Sequence, residues 1–268
     1  MSDTAQQLAD ASFSDPNFRP VIVHGAGSFG HFQAKQYSVA NGTDSASGRS
    51  LDGHTISSFL REGFAKTRLS VSKLNHHILT TMLSKGVPGV GISLYPTVLA
   101  SKRQLSRGDV WESTFRTSLD HTLKLGLVPV IHGDACLETT GQETSIVSGD
   151  TFMVYLCEIC NPKYAVFLAD VDGVLTAPPG SVPEPELIRQ IVVDKDGSWS
   201  CGDSENGPQM SQSAHDVTGG IKLKLKSAIE IVSRFRIPVY IVKAGSADAV
   251  SAIRGIPPVN GTSIVFKQ

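Results

Sequence analysis

His24-Gly25-Ala26-Gly27-Ser28-Phe29-Gly30-His31 follows directly on the apolar, β-branched run Pro20-Val21-Ile22-Val23. A run of that kind reads as a strand buried in a parallel sheet. The glycines after it strip the turn of side chains. Backbone amides there can approach a phosphate closely, and a following helix end adds partial positive charge. Gly25, Gly27 and Gly30 also match G-x-G-x-x-G formally. The dinucleotide-binding context for that pattern is a clean helix followed by a strand ending in an acid. Here the chain instead dissolves into a Ser-, Gly-, Asp- and Asn-rich loop over residues 38–53, so that reading is set aside. A purely structural glycine turn remains an alternative. His31 weighs toward anion binding: an imidazole closing such a turn donates a hydrogen bond to an oxyanion, and adds charge when protonated. Taken alone, the same histidine reads equally well as a surface residue.

Outward from this turn the chain alternates between helix and strand periods. Residues 57–85 carry a long helical pattern stopped by Gly86 and Pro88, and residues 87–94 read as a strand. Residues 114–125 form a further helix closed by Gly126, and residues 128–131 a strand leading into His132-Gly133-Asp134. Ser148-Gly149-Asp150 opens a helix to about Cys160, and residues 164–169 are a strand ending in Asp170-Val171-Asp172-Gly173. The stretch 176–213 is irregular, with a small hairpin expected around residues 188–193 and Trp199. A helix over 220–234 and strands over 239–242 and 261–266 complete the chain. This alternation predicts an α/β protein with a mostly parallel sheet and no separable linker. Residues 1–18 are expected to be poorly ordered or to form a short helix.

Other chemistry-bearing segments lie at the ends of these elements. Asp216-Val217-Thr218-Gly219-Gly220-Ile221-Lys222-Leu223-Lys224 presents a Thr-Gly-Gly turn opening a helix, suited to the phosphates of a nucleoside triphosphate. Lys222 and Lys224 fall near the first turn, where a cation opposes the helix dipole unless an anion is its counterpart. A solvated basic face is the alternative, and it suits Lys222 and Lys226 better than Lys224. Asp150 reads on sequence alone first as an N-cap. Asp170 and Asp172 follow a strand at its carboxyl end, where α/β ligands bind. They read either as a metal-binding pair or as a turn held by Asp and Gly. Cys157 and Cys160 stand three apart within a predicted helix, with no second pair to complete a zinc site, and read as small hydrophobes.

The 268 residues, 40% hydrophobic and 18% charged, describe an ordinary globular protein large enough for one α/β domain or two closely packed lobes. Lys plus Arg total 24 against 25 Asp plus Glu, so no global field argues for nucleic acid or an anionic membrane, and an anionic ligand must be held by local chemistry. No apolar run nears the roughly 20 residues of a membrane span. The first ten residues lack the pattern of a signal peptide, and four scattered cysteines build no disulfide scaffold. A cytoplasmic protein is expected.

With these motifs in order, the chain from about residue 19 onward resembles the amino acid kinase family. Within that family it is similar to the isopentenyl phosphate kinases, because the first glycine turn continues as Ser28-Phe29-Gly30-His31. The resemblance implies a three-layer αβα sandwich with a mostly parallel central sheet. It also implies a phosphate-acceptor half (19–145), a nucleotide-binding half (146–268), ATP and Mg²⁺ as cofactors, and phosphorylation of isopentenyl phosphate to isopentenyl diphosphate. By motif match, Gly25, Ala26, Gly27, Gly30 and Gly149 cradle the acceptor phosphate and His31 hydrogen-bonds to it. Asp150 holds the catalytic cations in place. Lys224 faces the ATP phosphates, with Asp170, Gly173, Thr218, Gly219, Gly220, Lys243 and Gly245 on the nucleotide side. The helix 57–85 is expected to give apolar walls for the isoprenoid tail, and a homodimer is expected. The family begins with a strand carrying Lys-x-Gly-Gly, and nothing like it precedes Val21, so the fold is expected to miss its first strand. The competing readings are a kinase for another small phosphate or carboxylate, and a catalytically impaired member that binds nucleotide.

Overall fold

The structure, a computed structural model, describes residues 1–40, 58–101, 103–138, 143–177, 180, 182–201 and 219–267. The chain divides into two compact units, one formed by Asn17–Phe152 with Met1, the other by Ser2–Pro16 and Met153–Gln268.

In the first unit the run after Pro20 forms β1 (Ile22–His24), paired in parallel with β5 (Val128–His132). β5 pairs in parallel on its other side with β2 (Gly89–Gly91). All five residues of β5 are buried, as befits a central strand covered on both faces. Three helices surround this sheet: α2 (Gly27–Gln36), α3 (Ser58–Ser84) and α4 (Asp109–Lys124). In α3 the buried positions Leu60, Gly63, Thr67, Val71 and Leu74 are spaced three or four apart, with Met82 buried near the helix end, so one stripe faces α2, β2 and β5. The helix stops where the sequence said it should. Gly86 takes φ +78, and the amides of Gly86 and Val87 return to the carbonyls of Leu83 and Met82. Two short hairpins, β3 (Ala100–Ser101) with β4 (Gln104–Leu105) and β6 (Asp134–Leu137) with β7 (Thr144–Val147), were not expected. α4 begins five residues earlier than the periodicity suggested, at Asp109.

The second unit holds α1 (Ser2–Ser14), most of α5 (Gly149–Cys160), β8 (Ala165–Ala169), the hairpin β9 (Val174–Leu175) with β10 (Leu187–Ile188), β11 (Gln190–Val193), β12 (Trp199–Cys201), α6 (Gly219–Phe235), β13 (Val239–Lys243), α7 (Ala247–Ile253) and β14 (Thr262–Phe266). Its five-stranded sheet runs β12-β11-β14-β13-β8. Period-two alternation sorts its side chains. Ala165, Phe167, Val239 and Ile241 pack in one core with Ile221, Leu225 and Ile231 of α6. Val166, Leu168, Tyr240 and Val242 face Ala249 and Ala252 of α7 on the other side. Each fully buried aliphatic side chain of these two cores contributes about 1.5–3 kcal/mol. Helices on both faces of a sheet give the αβα layering. Parallel pairing of β8 with β13 and of β11 with β14 is joined by antiparallel pairing at β13–β14 and β11–β12. Ala5, Leu8 and Ala11 bury one side of α1, and Gln7 Nε2 donates to the Ser246 carbonyl at 3.3 Å. Residues 2–14 are therefore helix, the first element before β1 among the described residues.

Candidate active site

The first glycine turn is built by a strand end and a helix start. Ala26 occupies the N-cap of α2 in a helical conformation, φ −73 and ψ −23, with no side-chain cap. Gly27 takes φ +51, a left-handed conformation that glycine adopts without the Cβ clash of other residues. The first helical bond is from the Gly30 amide to the Ala26 carbonyl at 3.2 Å, so the amides just before it have no intrahelical acceptor. Gly30 is buried, and a Cβ there would lie 2.9 Å from Val71 Cγ2 of α3. His31 is exposed one helical turn beyond Gly27. The segment after the glycines is a helix of ten residues that ends before the loop expected over residues 38–53, most of which lies outside the described residues.

β1 and β5 end alike. Their register pairs His24 with His132, and the two rings stack with centroids 5.2 Å apart. In each case the ring Nδ1 lies against the carbonyl of the following glycine, at 2.9 Å for His24 and 3.2 Å for His132. The Gly133 amide donates to the His24 carbonyl at 3.1 Å. Asn75 of α3 places its Nδ2 3.0 Å from His24 Nε2. Seven residues earlier, Arg68 forms an ion pair with buried Asp134 at 3.0 Å, while its guanidinium stacks 3.9 Å from the Tyr95 ring centroid. Burial pushes the Asp134 carboxyl above the usual range, opposed by Arg68 and His132. Burial lowers His24 to about 4, so its imidazole is neutral at physiological pH. α3 thus offers Arg68 and Asn75 to this end of the sheet.

The third component is the start of α5. The Ser148 hydroxyl accepts from the Thr151 amide at 3.1 Å and is the N-cap, which corrects the first reading of Asp150. Asp150 is half-buried in the first turn, where the helix dipole favours a carboxylate. This helix start is pressed against the strand ends. A Cβ on Gly133 would meet Gly149 N at 2.7 Å, and one on Gly149 would meet the His24 carbonyl at 3.2 Å. Gly25, Ala26, Gly27, Gly30, His31, Gly149 and Asp150 therefore all belong to the first unit.

The residues expected on the nucleotide side belong to the second unit. β8 and β13 pair in register at Ala169 and Lys243, so Asp170 and Lys243 leave the sheet side by side, both exposed. Their ends are the carboxyl ends of two parallel strands, the usual ligand side of an α/β sheet. Gly245 takes φ +79 in the turn before the Ser246 cap of α7, with the Asp3 carboxylate of α1 nearby. Gly219 and Gly220 open α6, and Lys224 follows one turn later, half-buried with Nζ 5.7 Å from the Phe167 ring centroid. Gly173 is buried where a Cβ would strike Thr262, which gives it a packing role. Thr218 lies outside the described residues. Asp170 and Asp172 are both exposed, and no group of three or more His, Cys, Asp or Glu able to hold a metal occurs among the described residues. Cys157 packs in the second unit's core, where burial lifts its thiol to about 12.

Arg68, Asn75 and Ser148 were missed by the sequence reading. Asn75 had a signal: it stands four residues after Val71 and directly after Leu74 in the apolar stripe of α3, where a polar side chain needs a buried partner.

The model of the amino acid kinase family matches residues 1–243. The chain belongs to the amino acid kinase family. Its relatives there include an isopentenyl phosphate kinase of Arabidopsis thaliana, 35% identical over 88% of this chain and 67% of the relative. Another, from Methanothermobacter thermautotrophicus, is 30% identical over 92% of this chain and 85% of the relative. A crystal structure of isopentenyl phosphate kinase superposes with a TM-score of 0.71 at 25% identity, covering 98% of this chain and 90% of that one. Aspartokinase III of E. coli, at 13% identity and a TM-score of 0.57 over 98% of this chain and 61% of that one, shares the fold.

Proposed function

We propose that this chain transfers the γ-phosphoryl group of ATP to isopentenyl phosphate, giving isopentenyl diphosphate and ADP. The observation that carries the reading is the uncapped start of α2 after His24-Gly25-Ala26-Gly27, with exposed His31 one turn beyond it. Open amides and a helix N-terminus suit a phosphate acceptor, and the relatives with this overall sequence are isopentenyl phosphate kinases. In the transfer, an acceptor phosphate oxygen forms the new bond to the γ-phosphorus while the bond to the β,γ-bridging oxygen breaks and ADP departs. Such a reaction asks the protein mainly for positioning and for charge that meets the equatorial oxygens. On the acceptor side Gly25, Ala26, Gly27 and Gly149 offer backbone, Gly30 lets α2 close on α3, and His31 donates to the acceptor phosphate.

On the donor side the Gly219-Gly220 start of α6 and Lys224 meet the triphosphate, with Thr218, Lys243, Gly245, Asp170 and Gly173 around the nucleotide. Mg²⁺ entering on the nucleotide needs only one or two protein carboxylates, because it keeps waters and phosphate oxygens as its other ligands. Asp150, a single carboxylate at a helix start, fits that demand and also orders the neighbouring cations. The magnesium supplies neutralisation of the β- and γ-phosphate charge. A homodimer in the cytoplasm is part of this reading, and sedimentation of the purified chain tests the first half of it. The activity is tested by ADP release from MgATP across an acceptor panel of isopentenyl phosphate, dimethylallyl phosphate, glutamate and fosfomycin. Turnover dependent on isopentenyl phosphate and lost in His31→Gln is expected. Turnover with glutamate or fosfomycin alone, or none from folded protein, overturns the proposal.

A further inference from the structure

The acceptor turn is steadied by the His24 ring that precedes it. Gly25 is exposed, and a Cβ built on it would touch nothing within 4 Å, so its own packing does not stop the peptide that follows from rotating. The carbonyl of that peptide is the atom against which His24 Nδ1 lies, at 2.9 Å. A carbonyl only accepts, so Nδ1 carries the proton. On the far side of the ring, Asn75 Nδ2 is 3.0 Å from Nε2. An amide nitrogen only donates, so Nε2 is bare. One protonation state satisfies both contacts: the neutral ring with its proton on Nδ1.

The surroundings are built to keep Asn75 there. Val71 and Leu74, its neighbours on α3, are buried. β2 has glycine at position 91, where a Cβ would come within 2.8 Å of Asn75 Oδ1. The other titratable group packed against the His24 ring is His132, itself next to the Asp134–Arg68 pair. In a trans peptide the carbonyl and the following N–H point in opposite directions. Fixing the Gly25 carbonyl toward the ring therefore turns the Ala26 N–H away from it.

We infer that Asn75 and His24 are a positioning pair: Asn75 selects the Nδ1–H tautomer of His24, which holds the Gly25–Ala26 peptide with its N–H presented to the acceptor phosphate. This rests on the reading of the turn as the acceptor site. His132 repeats the ring-to-carbonyl contact at the end of β5, where its Nδ1 lies 3.2 Å from the Gly133 carbonyl.

Two measurements test the inference. In the wild-type chain, long-range ¹H–¹⁵N correlation of the His24 ring at pH 7 is expected to report the Nδ1–H tautomer. The Nε2–H tautomer, or a protonated ring, overturns the inference without any variant. The second measurement compares Asn75→Asp and Asn75→Ala, each checked for folding by circular dichroism, in their affinity for inorganic phosphate and for isopentenyl phosphate. An aspartate accepts only, so a ring that stays neutral carries its proton on Nε2 and releases the Gly25 carbonyl. The dissociation constant for either phosphate is expected to rise about tenfold in Asn75→Asp and about threefold in Asn75→Ala. In turnover the loss is expected in KM for the acceptor more than in kcat. Wild-type affinity in folded Asn75→Asp overturns the inference, and turnover by the wild type then leaves the functional reading standing. A wild type that binds phosphate but turns nothing over refutes the functional reading, while the ordering of the two variants still decides the role of Asn75. A wild type that binds neither phosphate overturns both.

Discussion

Gly133→Ala examines the tightest backbone approach in the candidate site. The added methyl would lie 2.7 Å from Gly149 N, 3.0 Å from the Val147 carbonyl and 3.1 Å from Ser148 C, where ordinary contact begins near 3.4 Å. All three obstacles are backbone, so no side chain can rotate away. The start of α5 must retreat from the ends of β1 and β5 by the difference, roughly 0.7 Å, carrying Gly149 and Asp150 with it. Overpacking of this kind costs about 1–3 kcal/mol, a fall of several degrees in Tm for a chain of this size. Misplacing catalytic groups by most of an ångström costs up to about a hundredfold in rate. We expect kcat/KM for the acceptor to fall about 10- to 100-fold, measured by coupled ADP release alongside thermal melts. Gly197→Ala separates the two effects. Gly197 has φ +82 and an open Cβ position, so alanine there is strained by about 1–2 kcal/mol with no site to disturb. It is expected to lower Tm and to leave kcat/KM unchanged. Gly133→Ala with wild-type Tm and kcat/KM would refute the reasoning.

Three further outcomes are expected. Ser148→Ala removes the cap bond to the Thr151 amide and should lower stability by about 1 kcal/mol in urea unfolding, with Ser148→Gly losing less. His24 is held neutral in the folded chain, about 4 against an ordinary 6.5. Its contribution is thus fully present above pH 6.5 and is lost as pH falls through 6.5 toward 4, by at most about 3 kcal/mol and less for the exposed part of the ring. His24→Asn should flatten the fall of Tm across that window, and an unchanged slope contradicts the assignment. Lys224→Met should raise KM for ATP about tenfold or more in steady-state kinetics while leaving the acceptor dissociation constant near that of the wild type.

What could be read from the sequence was set by how strongly each element is dictated locally. β1, β5, β13 and β14 were legible because β-branched runs bounded by glycine or polar residues leave few alternatives. α3 was legible from its helical pattern and the Gly86 and Pro88 stop, and α6 from the Thr-Gly-Gly turn that opens it. α2 was not, because two of its ten residues are glycine and it buries only Gly30, so it is held by packing on α3 rather than by propensity. The hairpin of β6 and β7 escaped for a related reason: Asp134, Thr144 and Ser145 are polar yet buried, and nothing local announces a partner at the far strand. The antiparallel pairing of β13 with β14 is likewise a tertiary choice that a strand's own pattern does not encode. The glycine turns, His31 and Lys224 could be nominated from the sequence because phosphate chemistry demands those residue types in that order. Asn75 and Arg68 were not found, because their roles exist only once α3 lies across the ends of β1 and β5.

In the proposed reaction the acceptor of the phosphoryl group is itself a phosphate ester with a five-carbon tail. The direct measurement is ³¹P NMR of the wild-type chain mixed with MgATP and isopentenyl phosphate. The account predicts that the monoester signal is replaced by the two coupled resonances of isopentenyl diphosphate, with ADP formed in equal amount. ATP consumed with the monoester signal intact, or no change in either, would contradict it.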